Sequence, residues 1–294
     1  MAVLRRLPME NLAYYDGEIG TVDQVKVPFL DRAHFFGDGV YEATMAAHGK
    51  PFLLEEHLDR FYSSATSFSI RIPFEKEQLR TLLLDLTSRV DGETHFVYWQ
   101  VSRGVSMRNH VFDPDMKGKL WVLIRPQAID PITDEGTVIS TADKRFEYGN
   151  VKTLNLLPAV LYSQMAQDAH VSETVLHRDG IVTECAHSNI SILKDGVFRS
   201  HPNDEHILRG IAKTHLILAC YKLGIPVIER AFTLDELAHA DEVIVSSSSK
   251  FALRIRELNA APVGGHDEAT LRRIQRAVAD EFEAYTGYSV AGTL

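Results

Sequence analysis

Cysteine is scarce in this chain. Cys185 and Cys220 are the only two among 294 residues, too few for a disulfide framework or a thiolate metal cluster. Cys220 sits in an apolar helical run and reads as core. Long hydrophobic runs are absent too: none approaches the ~18 apolar residues that would suggest a membrane span. The first eleven residues carry Arg5, Arg6 and Glu10 and lack the apolar centre of a signal peptide. Positive charge is in deficit, with 31 Lys and Arg against 40 Asp and Glu and a net charge of -9. That balance argues against nucleic acid or anionic membrane as the main partner, while leaving room for a local basic pocket for a small anion. Repeats and low-complexity segments are missing as well. The expectation is a soluble, cytoplasmic protein without a metal site. Its length suggests about two domains.

What is present is organised around Asn150-Val151-Lys152-Thr153-Leu154-Asn155-Leu156-Leu157. A polar approach, Glu147 to Asn150, precedes the lysine. An apolar segment expected to run as a helix to about His170 follows it. Ammonium groups resist burial, and a buried lysine becomes a usable nucleophile or Schiff-base former. The ordinary alternative is a surface lysine at a helix entry.

Before this stretch, Asp16-Gly17 reads as a turn between short strands. Phe36-Gly37-Asp38-Gly39-Val40-Tyr41-Glu42 leads from a glycine turn into a β-run that could aim Tyr41 into a cavity. Residues 53–70 and 75–89 have helical spacing, with Arg60 among apolar positions as either an ion-pair member or an anion ligand. Residues 94–103 and 119–125 read as strands. Between them Arg108 and His110 lie two apart, which in an extended loop points both the same way. They make either a carboxylate clamp or a solvated basic pair. Two prolines, Pro126 and Pro131, suggest a linker over 126–134.

In the second half, residues 136–141 read as a strand. Asp179-Gly180 and Asp195-Gly196 predict hairpins within 173–198. Glu184 is an exposed strand residue or a deliberate buried acceptor. Ile207 to Ala212 is expected to open a helix reaching Leu223, and a glycine at such a start offers free N–H groups to a phosphate. A strand at 242–245 runs into Ser246-Ser247-Ser248-Ser249, either a flexible loop or hydroxyls suited to an oxyanion. A last helix covers about 267–285.

Taken in order, Phe36 to Glu42, Glu56-His57-Leu58-Asp59-Arg60, Lys152 to Leu157, Thr183-Glu184 with Ser188-Asn189, Leu208-Arg209-Gly210-Ile211 and Val245 to Ser248 resemble the fold-type IV pyridoxal-phosphate transaminases. The resemblance runs from about Tyr15 to Glu283. Within that superfamily, Gln100 to Gly104 with Arg108-Asn109-His110 is most similar to the D-amino acid transaminases. The resemblance implies an α/β (α+β) fold: a small N-terminal domain over 1–125, the linker at 126–134 and a larger pyridoxal-phosphate-binding domain over 135–294. The cofactor is expected in the cleft between them, in a homodimer. It implies that Lys152 carries pyridoxal 5'-phosphate as a Schiff base and shuttles the proton. Glu184 is expected on the pyridine nitrogen, Arg145 at the phenolate oxygen and Leu208 against the ring. Arg60, Gly210, Ile211, Ala212, Ser247 and Ser248 are expected around the phosphate, with Ser188 also on the cofactor. Tyr41, Arg108, His110 and Ser249 are expected to bind substrate.

The chain departs from that pattern at Ala212, in place of a threonine, and at Ala186-His187, in place of two small serines. The implied reaction moves an amino group from a D-amino acid, D-alanine first, to a 2-oxo acid such as 2-oxoglutarate. An (R)-selective amine transaminase, a branched-chain L-amino acid aminotransferase and an aminodeoxychorismate lyase are the alternatives.

Overall fold

The computed structural model describes residues 9–294. The part of the signal-peptide expectation that falls on residues 1–8 lies outside the described residues. Two compact units divide the chain. The first takes the described residues up to Ile129, together with Val151–Asn155 and Tyr285–Tyr288; the second takes Asp130–Asn150, Leu156–Ala284 and Ser289–Leu294.

The first unit contains β1 (Leu12–Tyr15), β2 (Glu18–Gly20), α1 (Arg32–Phe36), β3 (Gly39–Ala47), β4 (Lys50–Pro51), α2 (Leu54–Ser67), α3 (Lys76–Thr87), β5 (Thr94–Ser102) and β6 (Lys119–Pro126). Its strands form one antiparallel sheet in the order β2-β1-β6-β5-β3-β4. Alternation along β5 and β6 turns Val97, Trp99, Val101, Leu120, Val122 and Ile124 to one face. There they pack with Leu54, Leu58, Phe61, Leu79, Leu83 and Leu86 of α2 and α3. Each such side chain contributes roughly 1.5–3 kcal/mol by leaving water.

The second unit contains β7 (Glu135–Ala142), α4 (Leu157–Asp168), β8 (Glu173–Arg178), β9 (Ile181–Cys185), β10 (Asn189–Lys194), β11 (Val197–Ser200), α5 (Ile211–Lys222), β12 (Val227–Glu229), α6 (Leu234–Ala238), β13 (Glu242–Ser246), β14 (Leu253–Leu258), β15 (Ala261–Pro262) and α7 (Glu268–Thr286), the last up to residue 284. The main path of its mixed sheet is β12-β11-β10-β13-β14-β7-β8-β9, with β15 on β14. Asp179-Gly180 and Asp195-Gly196 make the turns of both expected hairpins. Cys185 and Cys220 are buried free thiols. Among the described residues, no helix is long and apolar enough to cross a membrane.

Two expectations need correction. The helix after Lys152 begins only at Leu157, with Pro158 in its first turn, because residues 152–154 hydrogen-bond to β3 instead. Those residues belong with the first unit although 135–294 had been assigned to one C-terminal domain. The helix expected from Ile207 begins at Ile211. Side chains of the second unit capture the Leu208 backbone groups that an earlier helix would have used.

Candidate active site

In the first unit, β3 receives the Lys152 segment across Gly39. A Cβ on Gly39 would stand 2.5 Å from the Val101 carbonyl oxygen and 2.6 Å from Leu154 Cδ1, so only glycine admits this approach. The Tyr41 N–H donates to the Lys152 carbonyl at 3.0 Å, and the Leu154 N–H donates to the Gly39 carbonyl at 3.0 Å. The Lys152 N–H donates to Ser64 Oγ at 3.3 Å, and Val151 is buried in the α2/α3 core. The half-buried side chain thus leaves a rigid backbone. Its Nζ stands 4.2 Å from the centre of the Tyr41 ring, a cation–π contact. Tyr41 stacks on Tyr98 at 5.6 Å and 27°, and the Tyr98 hydroxyl donates to Gln100 Oε1 at 2.6 Å. Among the described residues, no carboxylate forms an ion pair with Lys152 Nζ.

Arg60, on α2, is an ion-pair member in this structure. Its Nε and Nη2 donate to the two oxygens of Glu42 at 2.6 and 2.9 Å, and His57 Nδ1 lies 2.7 Å from the same carboxylate. Burial alone would raise the proton affinity of Glu42. The Arg60 guanidinium and His57 overcome it and hold the carboxyl down at about 2. Arg108 and His110 are exposed, yet both meet the Phe36 ring, each at 5.1 Å.

In the second unit, Glu184 ends β9 and is 5% exposed. Arg145 Nη1 donates to Oε1 at 2.5 Å; Asn189 Nδ2 and the Leu208 N–H donate to Oε2 at 2.9 and 3.1 Å. Arg145 is divided, however. Its Nε and Nη2 clasp Asp143 at 3.0 and 2.9 Å, and Nη2 also reaches the His206 carbonyl. Burial therefore prevails over the Arg145 contact and pushes the Glu184 carboxyl up to about 7.

Beside it, α5 begins at Gly210 with no side-chain cap, so its first N–H groups face outward without a hydroxyl partner from the cap residue. A Cβ on Gly210 would fall 1.8 Å from Asn189 Oδ1. Ile211 and Ala212 open the helix. After β13 the serine run forms a turn in which Ser247 Oγ lies 3.3 Å from Ser249 Oγ and accepts the Lys250 N–H at 3.1 Å. The Ser246 Oγ is buried without a hydrogen-bond partner.

The expected residues therefore form two groups. Tyr41, Arg60 and Lys152 gather on the first unit around β3 and α2. Arg145, Glu184, Leu208, Gly210, Ile211 and Ala212 gather on the second unit. Ser188 gives its hydroxyl proton to Glu173 at 2.5 Å rather than leaving it for a ligand. His187 also turns toward Glu173, at 3.0 Å. Sequence reasoning assigned no role to Glu42, Asp143 or Asn189. The signal for Glu42 was available: it shares the inward phase of β3 with Val40 and Thr44, an unusual place for a lone carboxylate. Asp143 carried no such signal.

The donor set fits an anionic, ring-bearing aldehyde cofactor. It offers an amine without an acid partner, a buried and incompletely neutralised carboxylate, and an uncapped helix start near an orphaned hydroxyl.

The chain belongs to the amino-transferase class IV family, whose profile matches residues 39–258. Among characterised relatives, it is 43% identical over 232 residues to the D-alanine aminotransferase of Listeria monocytogenes serotype 4b (strain F2365), covering 77% of this chain and 80% of that one. The D-alanine aminotransferase of Staphylococcus aureus (strain MSSA476) is 33% identical over 280 residues, covering 94% and 98%. Solved structures share the fold. The branched-chain aminotransferase of Thermoproteus uzoniensis with norvaline has a TM-score of 0.82 at 20% identity, covering 95% of this chain and 99% of that one. The branched-chain amino acid aminotransferase of T.th. with pyridoxamine 5'-phosphate has a TM-score of 0.84 at 23% identity, covering 95% of each.

Proposed function

We propose that this aminotransferase moves an amino group between a D-amino acid, D-alanine first, and a 2-oxo acid such as 2-oxoglutarate, with pyridoxal 5'-phosphate as cofactor. The observation that carries the reading is Lys152: a half-buried amine on a fixed backbone, lying on an aromatic face, with no acid partner among the described residues. A structural lysine would have found a carboxylate. The D-alanine aminotransferase names of the relatives support the choice of substrate.

When bound, the cofactor supplies an aldehyde for a lysine and a ring that withdraws electrons. Lys152 Nζ is the group that holds the aldehyde and afterwards takes and returns the α-proton of the substrate. Glu184 accepts a hydrogen bond from the ring nitrogen. Its raised proton affinity suits it to share that proton. Arg145 serves mainly to orient Glu184, with one guanidinium edge left for the phenolate oxygen. The phosphate falls to the N–H groups of Ile211 and Ala212, to Ser247 and Ser248, and to Arg60. Gly210 admits the chain close to Asn189, and Leu208 packs on the ring. Ser188 acts at one remove, by holding the 185–188 turn through Glu173. Tyr41, Arg108, His110 and Ser249 receive the substrate, the arginine supplying the charge for its carboxylate.

The working form is a homodimer. Exposed apolar side chains on α4, with Leu157 81% exposed alongside Val160 and Leu161, support it, as do Phe29, Met107 and Val111 of the first unit. The cytoplasm is the proposed location, because a reducing compartment keeps the two thiols free.

A screen of paired D and L amino acids against 2-oxoglutarate tests the reading. D-alanine should yield pyruvate and L-leucine should not react. Turnover of L-leucine without D-alanine would reassign the chain to a branched-chain enzyme. Pyruvate release without any 2-oxo acid would indicate a lyase.

A further inference from the structure

A second lysine is buried more deeply than Lys152. Lys213 lies in the first turn of α5 and is 1% exposed. The position is unfavourable twice over. Desolvating an ammonium costs several kcal/mol, and the start of a helix already carries positive partial charge. A cation placed there must be compensated by what it holds. Its Nζ donates to the His201 carbonyl and, at 3.0 Å, to Asn203 Oδ1, with Glu229 Oε2 of β12 at 3.7 Å. His201 and Asn203 start the loop that leaves β11.

That loop then runs directly to the Glu184 site. The Glu205 carbonyl accepts the Gly149 N–H at 2.8 Å, and the His206 carbonyl accepts from Arg145 Nη2 at 3.2 Å. The Leu208 N–H donates to Glu184, and the Leu208 carbonyl accepts from Asn189 Nδ2 at 3.0 Å. The loop is therefore tied at its entrance by Lys213 and at its exit by Glu184 and Asn189. We propose that Lys213 is a positioning residue for Glu184: its buried ammonium pins the 201–209 loop whose backbone holds that carboxylate.

Electrostatics act in the same direction. Burial lowers the proton affinity of Lys213, while Glu229 of β12, Glu184 of β9 and Asp204 of the loop raise it. His201 faces Asp204 at 3.7 Å. Around Glu184 the charged neighbours are Arg145 and Asp143, of opposite sign, with Lys213 as the further cation. Removing Lys213 should both loosen the Leu208 N–H and make Glu184 harder to ionise.

The inference rests on the role proposed for Glu184, so its test includes a readout that needs no cofactor. Wild type, Lys213→Met and Lys213→Arg are compared as full-length protein. In the cofactor-free chain, hydrogen exchange at the Leu208 amide should be about tenfold faster in Lys213→Met, equivalent to one decade in the opening equilibrium, with β13 amides unchanged. In the holoenzyme, kcat should fall about tenfold with KM for D-alanine within about twofold, and the acid limb of the kcat/KM profile should move up by about half a pH unit. Lys213→Arg should restore most of each effect. Should Lys213→Met fail to fold, Asn203→Ala removes one tie without touching the ammonium and should give a smaller exchange increase in the same segment. Unchanged Leu208 exchange overturns the proposal, and so does a lower melting temperature with the acid limb left in place. A wild type without turnover would instead sink the transaminase reading, leaving the exchange experiment to judge Lys213.

Discussion

Glu42 and Glu184 are both buried carboxylates at the end of an arginine, one in each unit, and their environments drive them in opposite directions. Glu42 receives two N–H groups of Arg60 and the ring of His57, and its carboxyl is held down at about 2. Glu184 receives a single N–H from Arg145, because that guanidinium clasps Asp143 with its other edge, and its carboxyl rises to about 7. The same residue pair thus yields a closed ion pair in one place and an under-neutralised acceptor in the other. What separates them is how many of the arginine's protons the carboxylate has to itself. The first arrangement builds structure. The second retains capacity for a cationic N–H from a ligand.

The comparison can be broken most sharply at the chemistry it supports. Lys152→Ala should reduce kcat/KM by roughly a thousandfold or more and abolish the visible absorption of lysine-bound cofactor; persistence of either would remove Lys152 from its role. Glu184→Gln should cost about a hundredfold in kcat while KM changes little, since the loss falls on the transition state rather than on binding. A comparable loss from Glu42→Gln at equal stability would erase the distinction between the two carboxylates.

Stability against pH sharpens the contrast further. Glu42 has a folded-state value depressed from 4.5 to about 2, so its contribution is present above 4.5 and is lost as pH falls through that window. Glu184 has a value raised from 4.5 to about 7, so its folded site favours the proton, and stability declines as pH rises through that range. In cofactor-free protein, Glu42→Gln should destabilise by about 3 kcal/mol at pH 7, where Arg60 is left without its counter-charge. Glu184→Gln should flatten the decline between the two values, a change on the order of 3 kcal/mol across the window. Urea titrations at several pH values measure both, and parallel curves for the two variants would refute the opposite signs. The smallest effect expected is at the substrate carboxylate: Arg108→Met should raise KM for D-alanine about tenfold, as one charge-assisted contact is lost, with little change in the melting temperature.

Much of this was legible in the residues themselves. The Asp-Gly turns located both hairpins, because that dipeptide suits the backbone a two-residue turn demands. Period-two alternation marked β5 and β6, and period 3.6 marked α2 and α3. Arg108 and His110 were paired from their spacing, and both do meet Phe36. Other features were hidden. The early helix start at Ile207 looked sound locally and failed because Glu184 and Asn189, distant in sequence, take the Leu208 backbone. Arg60 offered two readings, and a contact 18 positions away decided its partner in this structure.

The chain by itself determined which groups are available: an amine in an apolar stretch, carboxylates on strands, hydroxyls after a strand and a glycine before a helix, each written in residue type and period. Only the tertiary structure decided their charge balance, since that depends on which arginine proton meets which oxygen. Such meetings, like that of Arg145 with both Asp143 and Glu184, are made by strands and loops that are far apart along the backbone.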